Sequence, residues 1–581
     1  MKRNSIAKIL ALLMLVSVMC LNMPIASAAS GDAGARIDAY VKQHEDTLAG
    51  LAVSVFGADF VECESYFGFA DREAGLAVTA ETVFDWGSIT KLTVWISAMQ
   101  LWEQGKLELD ADIRAYLPDG FLTRLQFDAP ITMIHLMNHQ GGFEDSVMGM
   151  DTPDKSEILP LEVYLYRYQP AQVYAPGTVT AYSNWSTALA GLIVERLSGM
   201  PFYQYVQENL FAPIGITHAA LNSDLSDNPW ASERRQELRA YSSDGSALSS
   251  SFAYCLPYPC GSCVSPLSEL RRFAQELLRP DTVWFRSPDT YYEMLSPTSF
   301  YGDTGLALNS HGFWTYRYYA VPVIGHGGNT GACSSELMLD LENLRGMVVM
   351  VNQQTESVFT HLMANEIFGE GEWELPEYSG YLQSARTTYS GLLKCYRIVA
   401  TYSPAVSEQI IRENFCVRDS SGSVDKLTLC YGDYLVKSSA EVLPMTLLLA
   451  WGGCGIAFSA LFLLWTGAAA LLRRLRRRAS YPADRLALSS SALSVAAGVL
   501  VLLFATSLLS INMWKIAAYR LWAAAMLLLL CALTALCIIK IVTFRKKKTR
   551  RQKLLRVFAL LAAAGVAANI AYWEMFMFWT V

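Results

Sequence analysis

The chain has 581 residues, 52% of them hydrophobic, and a formal net charge of −7. That total hides a division: residues 29–440 carry 50 acidic and 26 basic side chains, whereas residues 441–581 carry 3 and 17. An acidic surface of this kind repels polyanions and excludes nucleic acid as a partner, and the apolar, basic C-terminal part calls for lipid instead.

The N-terminus reads as a signal peptide over residues 1–28. Lys2 and Arg3 open it, Ile9–Cys20 is its apolar core, and Ala26-Ser27-Ala28 is a small-x-small cleavage site. Residues 29–375 are mixed in pattern and predict one globular domain. The spacing predicts a helix over Ile37–Leu48, strands over Ala52–Gly57 and Gly346–Val351, and a helix over Thr187–Leu197. Strands at both ends with helices between them predict one sheet completed by the two ends of the domain.

Three segments within this domain carry chemistry. The first is Phe84-Asp85-Trp86-Gly87-Ser88-Ile89-Thr90-Lys91, which opens a helical pattern running to about Gln104. Ser88 and Lys91, three apart, share a helix face. At the first turn the Ser88 N–H has no partner within the helix and can face an oxyanion. A serine hydroxyl needs a base to act as a nucleophile at neutral pH, and a desolvated lysine can serve. The second is Tyr182-Ser183-Asn184, after the turn Tyr174-Ala175-Pro176-Gly177. Tyr182 can relay a proton and Asn184 can hold a substrate amide. The third is Gly325-His326-Gly327-Gly328-Asn329, after a β-like stretch Tyr319–Ile324. Gly327 and Gly328 let a substrate approach a strand edge closely.

Cys260 and Cys263 have a C-x-x-C spacing, but no second pair at ligand spacing accompanies them, so neither a metal nor a cofactor is expected. Disulfides are open to the eight cysteines outside the signal and the apolar runs: Cys63, Cys255, Cys260, Cys263, Cys333, Cys395, Cys416 and Cys430.

Residues 376–440 change character. Short alternating stretches such as Lys426–Tyr431, separated by Ser-Gly turns, predict a small β-rich spacer. From 441 to 581 apolar runs dominate, predicting four membrane-spanning helices over 443–472, 486–514, 518–540 and 557–581. The first connection carries six arginines between Arg473 and Arg485. The third carries nine basic residues from Lys540 to Arg556, and the second only Lys515 and Arg520. Basic loops stay cytoplasmic. The domain after the signal peptide is therefore expected on the outer face of the cell membrane, with lipid as partner of the C-terminal helices.

The three segments, in this order, resemble the β-lactamase-related serine hydrolases: class C β-lactamases, penicillin-binding proteins, D-Ala-D-Ala carboxypeptidases and related esterases. That family carries S-x-x-K, then Tyr-x-Asn, then a Lys/His-x-Gly strand. Ile134–Gly142, Tyr174–Asn184, Asn209–Ile216 and Gly325–Ser335 are similar to further family segments, so the resemblance spans roughly residues 35–370. It implies an α+β fold, an antiparallel sheet flanked by helices. In its terms Ser88 is the acylated nucleophile, Lys91 its proton acceptor and Tyr182 a base. Asn184 is a substrate-amide ligand, Gly327 and Gly328 belong to the substrate-binding strand edge, and the N–H groups of Ser88 and Asn329 form the oxyanion hole. His326 takes the place of the third-segment lysine and, being mostly neutral at pH 7, is a weaker carboxylate anchor. The implied activity is cleavage of an amide or ester, with a small D-amino-acid-containing or cell-wall peptide as substrate. The alternatives are a prodrug-activating D-amino peptidase, an esterase, a β-lactamase or, without catalysis, a penicillin-binding-like membrane receptor.

Overall fold

The computed structural model describes residues 33–145, 150–249, 251–302, 304–371, 381–385, 401–402, 415–418, 424–429, 431–478, 484–509, 519–543 and 549–576. The expected signal peptide, Cys395, Cys430 and the end of the fourth apolar run lie outside these residues.

Among the described residues, a nine-stranded antiparallel sheet organises the N-terminal half. Its order is Leu76–Ala77, Val61–Asp71, Gly50–Gly57, Arg345–Val351, Ser334–Asp340, Val323–Asn329, Phe313–Tyr316, Ala307–Ser310, Ser299–Phe300. The two ends of the domain meet at its centre, where Leu51 pairs with Val351 and Gly57 with Arg345. Gly50–Gly57 is buried along its whole length, because both sheet faces are covered and the strand alternates between two cores. Val53 and Val55 pack with Ile37 and Val41 of the helix Ala33–Gln43. Ala52 and Phe56 belong to the larger core of Trp86, Leu92, Leu189, Leu270 and Phe273, contributed by the helices on the other face.

Two elements differ from the sequence expectation. The first helix runs Ala33–Gln43 and not Ile37–Leu48, since the chain turns at His44–Thr47 to enter the sheet. The third chemical segment does not follow a strand over Tyr319–Ile324; it lies within the strand Val323–Asn329. Its glycines offer no side-chain pattern, and the backbone ladders to Ser334–Asp340 on one side and Phe313–Tyr316 on the other make it a strand.

Beyond the main sheet a five-stranded antiparallel sheet is described, in the order Thr401–Tyr402, Tyr381–Ser384, Gly432–Lys437, Val424–Leu429, Phe415–Arg418. It is docked on the main domain. The Asp433 N–H donates to Thr180 O (2.8 Å), the Thr180 N–H donates to Asp433 Oδ2 (3.0 Å), and Lys426 Nζ pairs with the same carboxylate at 2.6 Å.

The helix Ser439–Leu475 starts two residues after Lys437, capped by Ser438 and Glu441 in a reciprocal box. Arg485–Leu509, Tyr519–Val542 and Arg550–Tyr572 follow. Among the described residues these four helices are long and apolar enough to cross a membrane. The first and fourth approach closely: a Cβ on Gly455 would meet the backbone of Ala562, Trp451 Nε1 donates to Leu561 O (2.9 Å), and Asn569 Nδ2 donates to Leu448 O (2.7 Å). Small residues and interhelical hydrogen bonds are how apolar helices associate when lipid offers no hydrophobic contrast.

Candidate active site

Ser88 sits in a tight turn, Gly87–Thr90, that leads directly into the buried helix Lys91–Glu103. The turn is pressed against the strand Val323–Asn329. Gly87 has φ +54°, and a Cβ there would lie 2.9 Å from Asn329 N; a Cβ on Gly328 would collide with the Trp86 carbonyl oxygen and lie 3.1 Å from Ser88 N. Both positions must be glycine for the two segments to touch. Their contact brings the backbone nitrogens of Ser88 and Asn329 close together.

Lys91 is fully buried and its ammonium has three acceptors. Nζ donates to Ser88 Oγ at 2.9 Å, to Asn184 Oδ1 at 2.8 Å and to Cys260 O at 2.6 Å. It also lies 5.0 Å from the centroid of the Tyr182 ring. Asn184, at the start of the helix Asn184–Ser198, is held in turn by Asp145: its N–H donates to Oδ1 at 2.9 Å and its Nδ2 to Oδ2 at 3.2 Å. Asn184 thus bridges Asp145 and Lys91. Held this way, Nζ can stabilise negative charge developing on Ser88 Oγ or, when neutral, take its proton.

Tyr182 is fixed by stacking. Its ring packs on His139 with centroids 4.2 Å apart, and His139 stacks on Trp314 at 5.6 Å and 7°. His139 has φ +54°, uncommon for a side-chain-bearing residue. Its carbonyl accepts from the Ala181 N–H (2.8 Å) and its Nδ1 accepts from the Ser183 N–H (3.2 Å), so both the ring and the backbone of this residue set the position of Tyr182.

His326 is completely buried. Its Nδ1 donates to Gly327 O (2.6 Å), which leaves Nε2 as an acceptor, buried and without a partner among the described residues. Burial, with the nearby Lys91 charge, pushes its pKa down to about 3. His326 is therefore neutral throughout the physiological range. His326→Gln is expected to leave the shape of the pH–rate profile of ester hydrolysis unchanged between pH 5 and 9. An inflection in that interval that disappears in the variant would contradict this assignment of charge.

A cavity of about 400 Å³ opens in front of Ser88, a size suited to a small ligand. Tyr182, Asn184, Gly327 and Asn329 line it, as do residues that the sequence does not single out: Glu336, His361 and Tyr431. Tyr431 comes from the small sheet, at the junction of its strands Val424–Leu429 and Gly432–Lys437. Its ring lies 6.1 Å from that of Tyr182 and 6.3 Å from that of His326, and its hydroxyl is 2.8 Å from Tyr316 Oη. On another wall Arg235 is ion-paired with Asp85, which also accepts from Thr330 Oγ1 at 2.7 Å.

The structure brings Ser88, Tyr182, Asn184, Gly327 and Asn329 together around one cavity, with Lys91, Gly328 and His326 buried behind its wall. Sequence reading missed Asp145, which follows the Ile134–Gly142 segment closely, and it missed the true use of the Cys260–Cys263 run. That run supplies the carbonyl that holds Lys91, and Cys255, Cys260, Cys263 and Cys333 are all unpaired thiols. Nothing in the sequence points to Tyr431, which stands 249 residues beyond Tyr182 in a different sheet.

Comparison with known proteins adds the following. The sequence profile of the Beta-lactamase family matches residues 37–368. A β-lactamase of Yersinia enterocolitica is 30% identical over 196 residues, covering 33% of this chain and 48% of that protein. Penicillin-binding protein 4 of Amycolatopsis lactamdurans is 32% identical over 181 residues, covering 31% of this chain and 46% of that protein. The chain spans about half the length of the curated relatives it matches. Among solved structures, D-amino acid amidase from Ochrobactrum anthropi SV3, complexed with D-phenylalanine, aligns with a TM-score of 0.47 at 21% identity, over 58% of this chain and 97% of that one.

Proposed function

From the premise that this chain belongs to the Beta-lactamase family, we propose that it hydrolyses an amide or ester bond through an acyl-enzyme on Ser88, on the outer face of a membrane in which its C-terminal helices anchor it. The observation that carries this reading is the Ser88 Oγ–Lys91 Nζ contact of 2.9 Å, with the lysine immobilised by two further acceptors and Ser88 and Asn329 both lining the same cavity. In the proposed cycle Ser88 Oγ attacks the scissile carbonyl while Lys91 and Tyr182 manage its proton. The two amides stabilise the tetrahedral oxyanion, and donors of this kind are commonly worth about 3–4 kcal/mol each. The intermediate collapses with cleavage of the scissile bond, the leaving amine or alcohol takes up the proton that Ser88 gave, and water then hydrolyses the acyl ester, releasing the carboxylic acid and restoring the Ser88 hydroxyl.

The substrates we propose are small D-amino-acid-containing peptides, of the kind that the name of a putative D-alanyl-D-alanine carboxypeptidase of Escherichia coli attaches to that relative. The anchored arrangement is supported by the four apolar helices and by the basic first and third connections. The test is covalent: the membrane-embedded protein is incubated with a fluorescent fluorophosphonate and with a fluorescent penicillin, and the adduct is located by peptide mass spectrometry. A fluorophosphonate adduct on Ser88 is the expected result. An adduct on another serine, or none, refutes the mechanism, and penicillin labelling reports how closely the cavity resembles a penicillin-binding one.

A further inference from the structure

We propose that the cavity contains a subsite for a cationic amine, built by Glu336 reaching across Gly327, so that the substrate carries a free ammonium group beside its scissile bond and not a free carboxylate. This deepens the hydrolase reading and rests on it for the word substrate, though not for the existence of the subsite.

The geometry begins with a missing side chain. Glu336 lies on Ser334–Asp340 directly opposite Gly327 of the neighbouring strand. A Cβ at 327 would stand 2.5 Å from Glu336 Oε2 and 3.1 Å from Oε1. Any residue but glycine there would occupy the path of the carboxyl group. With glycine, the carboxyl crosses the strand and reaches the cavity wall, although Glu336 is only 1% exposed.

Among the described residues, its surroundings do not supply a cation. Tyr316 Oη donates to Oε1 at 2.8 Å. His361 Nε2 stands 3.8 Å from Oε2, but burial pushes the His361 pKa down to about 4, so it brings no charge at neutral pH. His326, behind Tyr182 and Tyr431, is neutral and presents an unprotonated nitrogen. Among the cavity-lining residues the cation is Arg235, and Asp85 neutralises it. Lys91, behind the wall, is fully engaged by its three acceptors. A substrate carboxylate would meet acceptors and a carboxyl group on this side, whereas an ammonium would meet partners.

The ionisation of Glu336 agrees with such a role. Burial pushes its pKa up to about 8, against the opposing hydrogen bond from Tyr316. With no cation beside it, much of it is protonated at pH 7. An arriving ammonium favours the carboxylate, and the displaced proton leaves to solvent. The substitution Glu336→Gln mimics the protonated acid and cannot become an anion, so it separates an ammonium site from a hydrogen-bonding site for a carboxylate. The excess of acidic over basic residues in 29–440 would draw cationic substrates to this face of the protein.

The test is binding, measured by calorimetry on the full-length Ser88→Ala protein in detergent, so that it does not depend on turnover. The probes are D-alanine p-nitroanilide, its N-acetyl derivative, and N-acetyl-D-alanyl-D-alanine. The free amine is expected to bind at least tenfold more tightly than either other probe. Adding Glu336→Gln is expected to remove that preference. Adding Gly327→Ala, which displaces the carboxyl without deleting it, is expected to do the same and serves if the Gln variant does not fold. Equal binding of the three probes, tighter binding of the carboxylate, or a preference that survives either added substitution overturns the proposal. Failure of the wild-type protein to react with fluorophosphonate would instead refute the hydrolase reading and leave the binding result intact.

Discussion

Ser88→Ala is expected to abolish hydrolysis of amide and ester substrates while the protein still folds and reaches the membrane. Loss of a serine nucleophile that works as one unit with its base costs about 10⁶-fold in kcat, so residual activity should fall to background. The structural cost is small. Ser88 is half-buried and its hydroxyl accepts from Lys91 Nζ, and a single hydrogen bond contributes about 1 kcal/mol net. The measurement is kcat/KM on a chromogenic ester beside the melting temperature in detergent. Activity within tenfold of wild type would eliminate Ser88 as the nucleophile, whatever the labelling pattern.

Lys91→Ala is expected to lower the acylation rate by about 10²- to 10⁴-fold, the range for a positioned proton-transfer group, and to destabilise the fold as well. The second effect follows from the site's construction. Lys91 is 0% exposed and satisfies Asn184 Oδ1 and Cys260 O. Removing it strands two buried acceptors at about 1–3 kcal/mol each and leaves a cavity. Lys91→Met fills most of the volume and separates the two consequences: it should recover part of the melting temperature and none of the rate. Acylation by fluorophosphonate at the wild-type rate in Lys91→Met would show that the Nζ contact is structural only, and that Tyr182 must be tested as the sole base.

The comparison of these two positions explains what sequence reading could reach. Ser88 and Lys91 are three residues apart, so helix geometry alone puts them on one face; their relation is local and visible without a fold. The apolar runs after residue 441 are equally local, because the length needed to cross a bilayer and the polarity it rejects are properties of a single helix. The joining of Gly50–Gly57 to Arg345–Val351 was also legible, as two β-rich apolar segments bracketing a helical stretch. The strand Val323–Asn329 was less so. Its glycines carry no periodicity, and its register depends on the partner strand Ser334–Asp340.

The shared face of Ser88 and Lys91 and the length and apolarity of the C-terminal helices were thus legible in the sequence alone, through spacing and polarity over a few turns of chain. The environment of those segments was decided by tertiary structure. Only the folded chain sets Asp145 against Asn184 and the Cys260 carbonyl against Lys91. Only the folded chain carries Tyr431 from a second sheet to the ring of Tyr182, buries His326 until it cannot hold a charge, and leads Glu336 over a glycine into the cavity. Each of these depends on burial and on contacts between residues far apart in sequence. The cost of desolvating a charge, which sets what each group can do, exists only once the chain has closed around it.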